Sequence, residues 1–283
     1  MLFLVLTILI AVISSCIQNY FCKNLFKNTS DNLKYEILVY AAALVCTLFT
    51  VKLPVPSAFC VMLAVINGLI LTLENYSILE AMRCGSMSLT SLFSLAALII
   101  PVALSPVLWH EELKAAQLLG SLLSIASMAF ILDVFSGKNS ISRRWLVYAL
   151  LAFFAGGSCA ICEKYLTTSV HAGETNTFAA ISFVVVIISS LIVLCAGKEK
   201  AAFRLTFRTA MPLLFIGAGN AAVFLLIIAA LKILPTSAVY AVNNGARLML
   251  VTICDVFIFR QKLSKNQILG MIIGSAAILL LSV

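Results

Sequence analysis

Ten long runs of this chain contain almost no charged residue, and that feature restricts its possible folds more than any other. The runs cover approximately residues 1–22, 34–52, 57–80, 85–109, 114–134, 145–163, 174–197, 209–232, 236–260 and 265–283. A bilayer core about 30 Å thick needs roughly 20 apolar residues per helical crossing. Open sheets cannot serve, because hydrocarbon offers no partner to an edge N–H or C=O. Barrel strands would alternate in polarity, whereas these runs are continuous. Composition agrees: 63% of 283 residues are hydrophobic and 11% charged, with mean hydropathy +1.12, more apolar surface than a soluble core hides. The expected fold is an all-α polytopic membrane protein with ten transmembrane helices. The second run has the shortest charge-free part, Ile37 to Val51. Every connection is brief, so binding has to take place within the helix bundle or at its rims.

The net charge of +8 does not mark a nucleic-acid surface, because the basic residues are scattered over short loops. The odd-numbered loops with their helix ends hold fourteen Lys and Arg, the even-numbered loops four, and Arg247 stands apart within a run. The positive-inside rule then places the odd loops in the cytoplasm and both termini outside.

The chain repeats itself. "EELKAAQLLGSLLSIASMAFIL" from Glu111 matches "QKLSKNQILGMIIGSAAILLLS" from Gln261 at an offset of 150, with Leu113, Gln117, Leu119 and Gly120 facing Leu263, Gln267, Leu269 and Gly270. "GSMSLTSLF" from Gly85 aligns with "PTSAVYAVN" from Pro235 at the same offset. Two halves, residues 1–136 and 137–283, then hold five spans each. Five is odd, so the second half enters from the opposite side and the repeats are inverted. Inverted repeats are a signature of alternating-access transporters, which hold substrate near the midplane between the halves.

Several local features accompany the repeat. Gly270 and Gly274 form a small-residue face that suits close packing inside one bundle or a homodimer contact. Pro101 interrupts the fourth span and should kink it, while its counterpart Val251 is not proline. Gly156–Gly157 and the "GAGN" ending at Asn220 are either flexing points or sites of close packing.

No catalytic constellation emerges. "HEEL" from His110 lacks the second histidine of a zinc-protease motif, Lys114 standing in its place. There is no nucleophile elbow and no phosphate-cradling loop. Cys159 and Cys162 lie inside an apolar helix without a second pair, as packing residues would. No enzyme activity, cofactor or metal is expected. "VISSC", ending at Cys16, resembles a lipoprotein cleavage box, but no basic residue precedes it, and it is read as part of a retained first helix.

Polar residues within spans mark the candidate site. Arg247 lies about eleven residues into the ninth span, near mid-membrane at roughly 1.5 Å per residue. An arginine there costs at least about 2.5–3.5 kcal/mol and usually faces a cavity or a partner. One reading has its planar fork holding a substrate carboxylate or phosphate. The other is an ion pair with Glu74, or with Asp255 through water. Tyr240, Asn243, Asn244 and Arg247 share one helix face. The matching places in the first half are Thr90, Phe93, Ser94 and Ala97, a milder surface. Gln18, Asn67, Glu74 and Asn220 complete the set, with Glu74 a candidate for a coupling proton or an ion pair.

With the repeat and "AMRCGSMSLTSLFSLAALIIPV" from Ala81 in view, the chain resembles the drug/metabolite transporter superfamily, most closely its ten-helix EamA-like branch. The resemblance implies a substrate cavity between the halves, lined chiefly by spans 1, 3, 4, 6, 8 and 9. "NNGARLMLVTICDVFIF" from Asn243 is similar to the ninth helix of nucleotide-sugar and triose-phosphate transporters, which implies an anion-binding role for Arg247. Two departures stand out: Gln261 replaces the family's usual Glu, and the charge bias places outside the termini that the family keeps cytoplasmic. The expectation is a secondary transporter of a small carboxylate- or phosphate-bearing metabolite, an amino acid or related compound. It would be multi-pass in a plasma membrane, that of a bacterial inner membrane, with lipid and small molecule as its partners. The alternatives are an exporter of lipophilic or cationic drugs and a non-transporting membrane enzyme or scaffold.

Overall fold

A computed structural model describes residues 2–110, 114–131, 142–197, 206–231 and 236–281; at 224, 225, 228–231, 236–242 and 281 the backbone alone is described. Helix makes up 87% of the structure, and no strand occurs among the described residues. In chain order the helices are α1 (Leu2–Asn24), α2 (Thr29–Thr50), α3 (Ala58–Cys84), α4 (Met87–Ala96), α5 (Ile99–Leu108) and α6 (Ala115–Ile131). They continue with α7 (Arg143–Thr168), a 3-10 turn (Ala172–Glu174), α8 (Thr175–Ala196), α9 (Phe207–Leu231), α10 (Thr236–Phe257) and α11 (Lys265–Leu281). Among the described residues six segments are long and apolar enough to cross a membrane, α4 and α5 together forming one of them; Ala115–Ile131 and Lys265–Leu280 are shorter apolar helices. The boundary expected at residues 136 and 137 lies outside the described residues.

The second helix starts well before the expected residue 34. Asn28 caps it, its Oδ1 accepting from the Asp31 N–H at 3.1 Å while Asp31 Oδ2 accepts from the Asn28 N–H at 3.3 Å. This reciprocal box satisfies orphan donors of the first turn. The charge that shortened the apolar run is absorbed by a neighbour: Glu36 is buried and accepts from Ser190 Oγ on α8 at 3.0 Å.

The break between α4 and α5 follows from Pro101. Proline lacks the N–H that would bond the Ala97 carbonyl, and its ring crowds that carbonyl. The chain tightens there instead, with Ile100 N–H bonding Ala97 O at 3.0 Å and Leu98 N–H bonding Leu95 O at 3.4 Å. The corresponding stretch of α10 is unbroken, so the two stretches bend differently.

Local structure recurs at an offset of 150 residues. His110 and Arg260 both adopt left-handed backbone, with φ of 53° and 52°. Five residues on in each case, α6 and α11 begin with the same cap: Lys114 N–H donates to Gln117 Oε1 at 3.2 Å, and Ser264 N–H donates to Gln267 Oε1 at 2.9 Å. Packing recurs too, since α3 lies on α7 and α8 while α9 lies on α1 and α2, and α6 packs along α11. A Cβ at Gly270 would meet Ser127 O and Ile131 of α6 at 2.9 Å, and one at Gly274 would meet Leu92 of α4 at 2.5 Å. The face offered by Gly270 and Gly274 is therefore filled from within the same chain. Gly217 behaves alike, a Cβ there falling 2.5 Å from Val39 O of α2, so this glycine serves close packing.

The two ends of the bundle are tied differently. The end bearing Lys23, Arg83 and Arg144, here called the basic face, is held by Glu80, which is wholly buried on α3. Its carboxylate accepts from Asn32 Nδ2 at 2.6 Å, Arg83 Nη1 at 3.0 Å and Arg144 Nη2 at 2.9 Å, joining α2, α3 and α7. At the opposite face Glu174 accepts from both Ser57 N–H and Ser57 Oγ at 2.8 Å. These bonds hold the carboxyl down at about 2, chiefly through the Ser57 N–H.

Candidate functional site

The helices leave a cavity of about 650 Å³ whose walls come from α3, α4, α5, α6, α7, α9 and α10. It runs from Arg247 past Pro101 and Ser105 to Gln117 and Lys164, and so toward the face opposite the basic one. An adjoining lobe of about 420 Å³ shares Glu74, Ser94, Glu163 and Arg247 with it and adds Ser14, Ser15, Gln18 and Asn220. Toward the basic face the space ends on a packed cluster that includes Phe21, Tyr35, Met82, Met87 and Val251.

Arg247 sits where these two spaces meet. Its Nη2 lies 3.5 Å from Ser15 Oγ on α1, a long contact, and its Nε has no partner. No ion pair joins Arg247 to an acid among the described residues. Asp255 is committed elsewhere: its Oδ2 accepts from Ser86 Oγ at 2.6 Å, Ser88 N–H at 2.9 Å and Ser88 Oγ at 2.8 Å. Glu74 is in electrostatic reach of Arg247 without touching it. It packs against Gly156 of α7, where a Cβ would stand 2.8 Å from Glu74 Oε1. The glycine makes room for the carboxylate.

Of the other residues singled out from the sequence, Asn243, Asn244 and Ser94 line the larger space with Arg247, and Gln18 and Asn220 line the lobe. Asn243 is only 6% exposed; its Nδ2 donates to Asn244 Oδ1 at 3.3 Å while its Oδ1 has no partner. Ser94 Oγ and Ser14 Oγ are likewise without partners. Buried polar atoms left open in this way cost about 1–3 kcal/mol each unless a ligand or water completes them. Asn67 is placed elsewhere: it is buried between α3 and α8, with its Nδ2 donating to Ser182 Oγ at 3.1 Å. The Tyr240 side chain lies outside the described residues.

Several lining residues were not among those expected, and Glu163 is the acidic one. Glu163 on α7 opens onto both spaces, on the same helix face as Gly156 and Ala160. Positions 156, 160 and 163 are four and three apart, the spacing of one stripe. Small, small, acidic at that spacing was the available signal; placing the end of the sixth span at residue 163 hid it. Lys164 beside it holds its Nζ over the Trp109 ring at 4.4 Å.

The sequence profile of the EamA-like transporter family matches residues 137–283. No curated protein matches the chain. A solved chain, described only as the crystal structure of a protein, shares 13% identity over 96% of this chain and 95% of its own, with a TM-score of 0.55. At that identity the likeness concerns the fold alone.

Proposed function

We propose that this chain, which belongs to the EamA-like transporter family of the drug/metabolite transporter superfamily, binds a small carboxylate- or phosphate-bearing metabolite at Arg247 and carries it across the membrane by alternating access. That it is a multi-pass membrane transporter of the drug/metabolite type follows from the family; the cargo and the mechanism are our reading, as is its place in a bacterial inner membrane. One observation carries the choice of cargo: a part-buried guanidinium, short of partners, lines a largely apolar cavity in the middle of the bundle beside Asn243, Asn244 and Ser94. Burying such a group without a permanent counter-ion is costly, and a transient anion would supply the missing partner. A fork of N–H donors suits the two oxygens of a carboxylate or phosphate.

The same geometry supports alternating access. The cavity reaches one face and ends on packed side chains toward the other, where Glu80 and Arg144 tie α3 to α7. The structural features that recur at an offset of 150 are those expected of two related halves rocking about a shared site. A cationic cargo is the second reading, favoured by the carboxylates of Glu74 and Glu163 in the lining. A thermal-shift screen of the detergent-purified protein against carboxylates, phosphate esters and organic cations separates the two. Under our reading an anionic metabolite raises the melting temperature and Arg247→Ala abolishes that rise while the unliganded protein still melts cooperatively. Stabilisation by lipophilic cations alone, unaffected by Arg247→Ala, would sink it.

A further inference from the structure

We propose that the outer side of α10 and α11 holds an anionic phospholipid from the leaflet at the basic face, its phosphate beside Lys262 and an acyl chain in the trough between the two helices. The site shares no lining residue with the cavity at Arg247 or its lobe, so it stands whichever cargo that cavity takes.

The trough, of about 590 Å³, is walled by Ile253, Val256, Leu263, Ile268, Ile272 and Leu279 among others. No charged side chain lines it, and its two hydroxyls are spoken for. Thr252 Oγ1 donates to Leu248 O at 2.7 Å, and Ser275 Oγ donates to Met271 O at 2.9 Å. It therefore offers an occupant nothing but hydrocarbon contact. Ile253 and Ile272 are 51% and 63% exposed, so the trough faces the bilayer and not the interior of the bundle. From Ile268 to Leu279 it follows eleven residues of α11, about 16 Å at about 1.5 Å per residue. That is about half of a hydrocarbon core about 30 Å thick, the depth of one leaflet.

The head of the trough differs in kind. Leu263 also borders a pocket of about 280 Å³ at the basic face, lined by Ser86, Ser142, Gln261, Lys262, Ser264 and Gln267. Among the described residues Lys262 is its one charged lining group, and no salt bridge engages it. Lys23 Nζ reaches the same loop, donating to Gln261 Oε1 at 3.4 Å. Basic groups just outside a membrane span attract anionic headgroups, and an apolar slot one leaflet deep takes the chain attached to such a head. The repeat does not require this charge: at an offset of 150, Glu111 and Glu112 stand where Gln261 and Lys262 stand in the second half. A second copy of the chain suits the surface less well. A two-fold axis along the membrane normal keeps both copies the same way up, so a contact over the trough would bring Lys262 toward Lys262.

Native mass spectrometry of the full chain in detergent tests the site. The protein is titrated with phosphatidylglycerol, with phosphatidylcholine of the same acyl chains, and with deacylated glycerophosphoglycerol. One phosphatidylglycerol per chain should bind at least about fivefold more tightly than phosphatidylcholine, the preference that one basic group confers near a membrane surface. The deacylated headgroup should not bind. Lys262→Gln should remove the preference by weakening phosphatidylglycerol alone. Ala276→Phe, which puts a ring into the trough from an exposed position, should lose both lipids. Ile192→Phe, at a position 62% exposed on α8, should change neither, and unliganded melting temperatures verify that each variant folds. Equal binding of the two lipids, unchanged in Lys262→Gln, would reduce the surface to ordinary lipid contact and overturn the proposal. So would a deacylated headgroup that binds as tightly as the whole lipid, or a dimer that Ala276→Phe dissociates while lipid binding stays intact.

Discussion

Asp255, near the end of α10, accepts two hydrogen bonds from one residue of α4, the N–H of Ser88 at 2.9 Å and its hydroxyl at 2.8 Å. The carboxylate is fully buried and sits against the first turn of α4, whose cap Ser86 also donates to it. A carboxylate at a helix N-terminus meets both open N–H groups and the positive end of the macrodipole. This contact takes Asp255 out of contention as the partner of Arg247, two turns away on the same helix, and leaves that arginine to the cavity. It also pins α10 to α4 at the basic face. Hydrogen bonds to a charged group contribute about 1.5–3 kcal/mol, so Asp255→Ala should destabilise the protein by at least that much. Ser88→Ala should cost less, since its N–H remains. Unfolding titrations in mixed micelles that found the two variants equal would contradict this.

Arg247 should not tolerate lysine. An ammonium keeps the charge but loses the planar fork that matches two oxygens at once. We expect Arg247→Lys to weaken binding of the cognate metabolite by at least about tenfold, one hydrogen bond to a charged group being worth more than 1.4 kcal/mol. Calorimetric titration checks it; wild-type affinity in the lysine variant would mean that the fork is not what holds the cargo.

Two glycines should respond differently to the same added methyl. At Gly156 the new Cβ meets the end of a flexible side chain, Glu74 Oε1 at 2.8 Å, which can swing away. Gly156→Ala is therefore expected to fold nearly normally, within about 1 kcal/mol, yet to alter binding by displacing a carboxylate of the lining. At Gly217 the Cβ meets backbone, Val39 O at 2.5 Å, which cannot. Gly217→Ala should cost about 1–3 kcal/mol or more through overpacking of α9 on α2. Melting temperature and ligand titration on the pair give the comparison, and reversal of the two patterns would be inconsistent with the packing.

The Glu80 cluster should be asymmetric in its energetics. Glu80 is wholly buried, whereas the Arg144 side chain that pairs with it is 60% exposed. Removing the exposed partner should cost about 0–1 kcal/mol, as for surface pairs. Glu80→Ala leaves Asn32 Nδ2 without its acceptor inside the bundle, and a buried group stranded in that way costs about 1–3 kcal/mol. The larger melting-temperature loss must fall on Glu80.

Acid should loosen the opposite face first. The Glu174 carboxyl is held at about 2 in the folded protein and would titrate near 4.3 when unfolded. A depressed carboxyl contributes stability above its unfolded value and loses it as pH falls toward the folded one. Between about pH 4.3 and about 2 the bonds from Ser57 and from His171 Nδ1, at 2.9 Å, should lose their hold on it. The melting-temperature gap between wild type and Glu174→Gln should be constant near neutrality and shrink through that window. A gap independent of pH would show that the carboxylate is not responsible.

Much of this architecture was legible in the chain because its solvent is simple. Hydrocarbon demands long, self-satisfied helices, so charge-poor runs announce an all-helical chain with several membrane-spanning segments. Errors fell where a polar residue finds a partner from another helix. Glu36 shortened the second span on paper, yet Ser190 of α8 receives it. Asn67 read as a site residue, yet Ser182 of α8 takes its amide. Glu163 read as the end of a span, yet it opens onto the cavity with Gly156 and Ala160.

The sequence alone determined the membrane solvent, the helical class and the presence of an expensive arginine at mid-span, because each follows from transfer energies that depend on composition and spacing along one helix. Only the tertiary structure decided which polar groups are spoken for. Pairing depends on what the neighbouring helices present, and so Asp255 went to Ser88, Glu80 to Arg144, and Arg247 was left with Ser15 and open space.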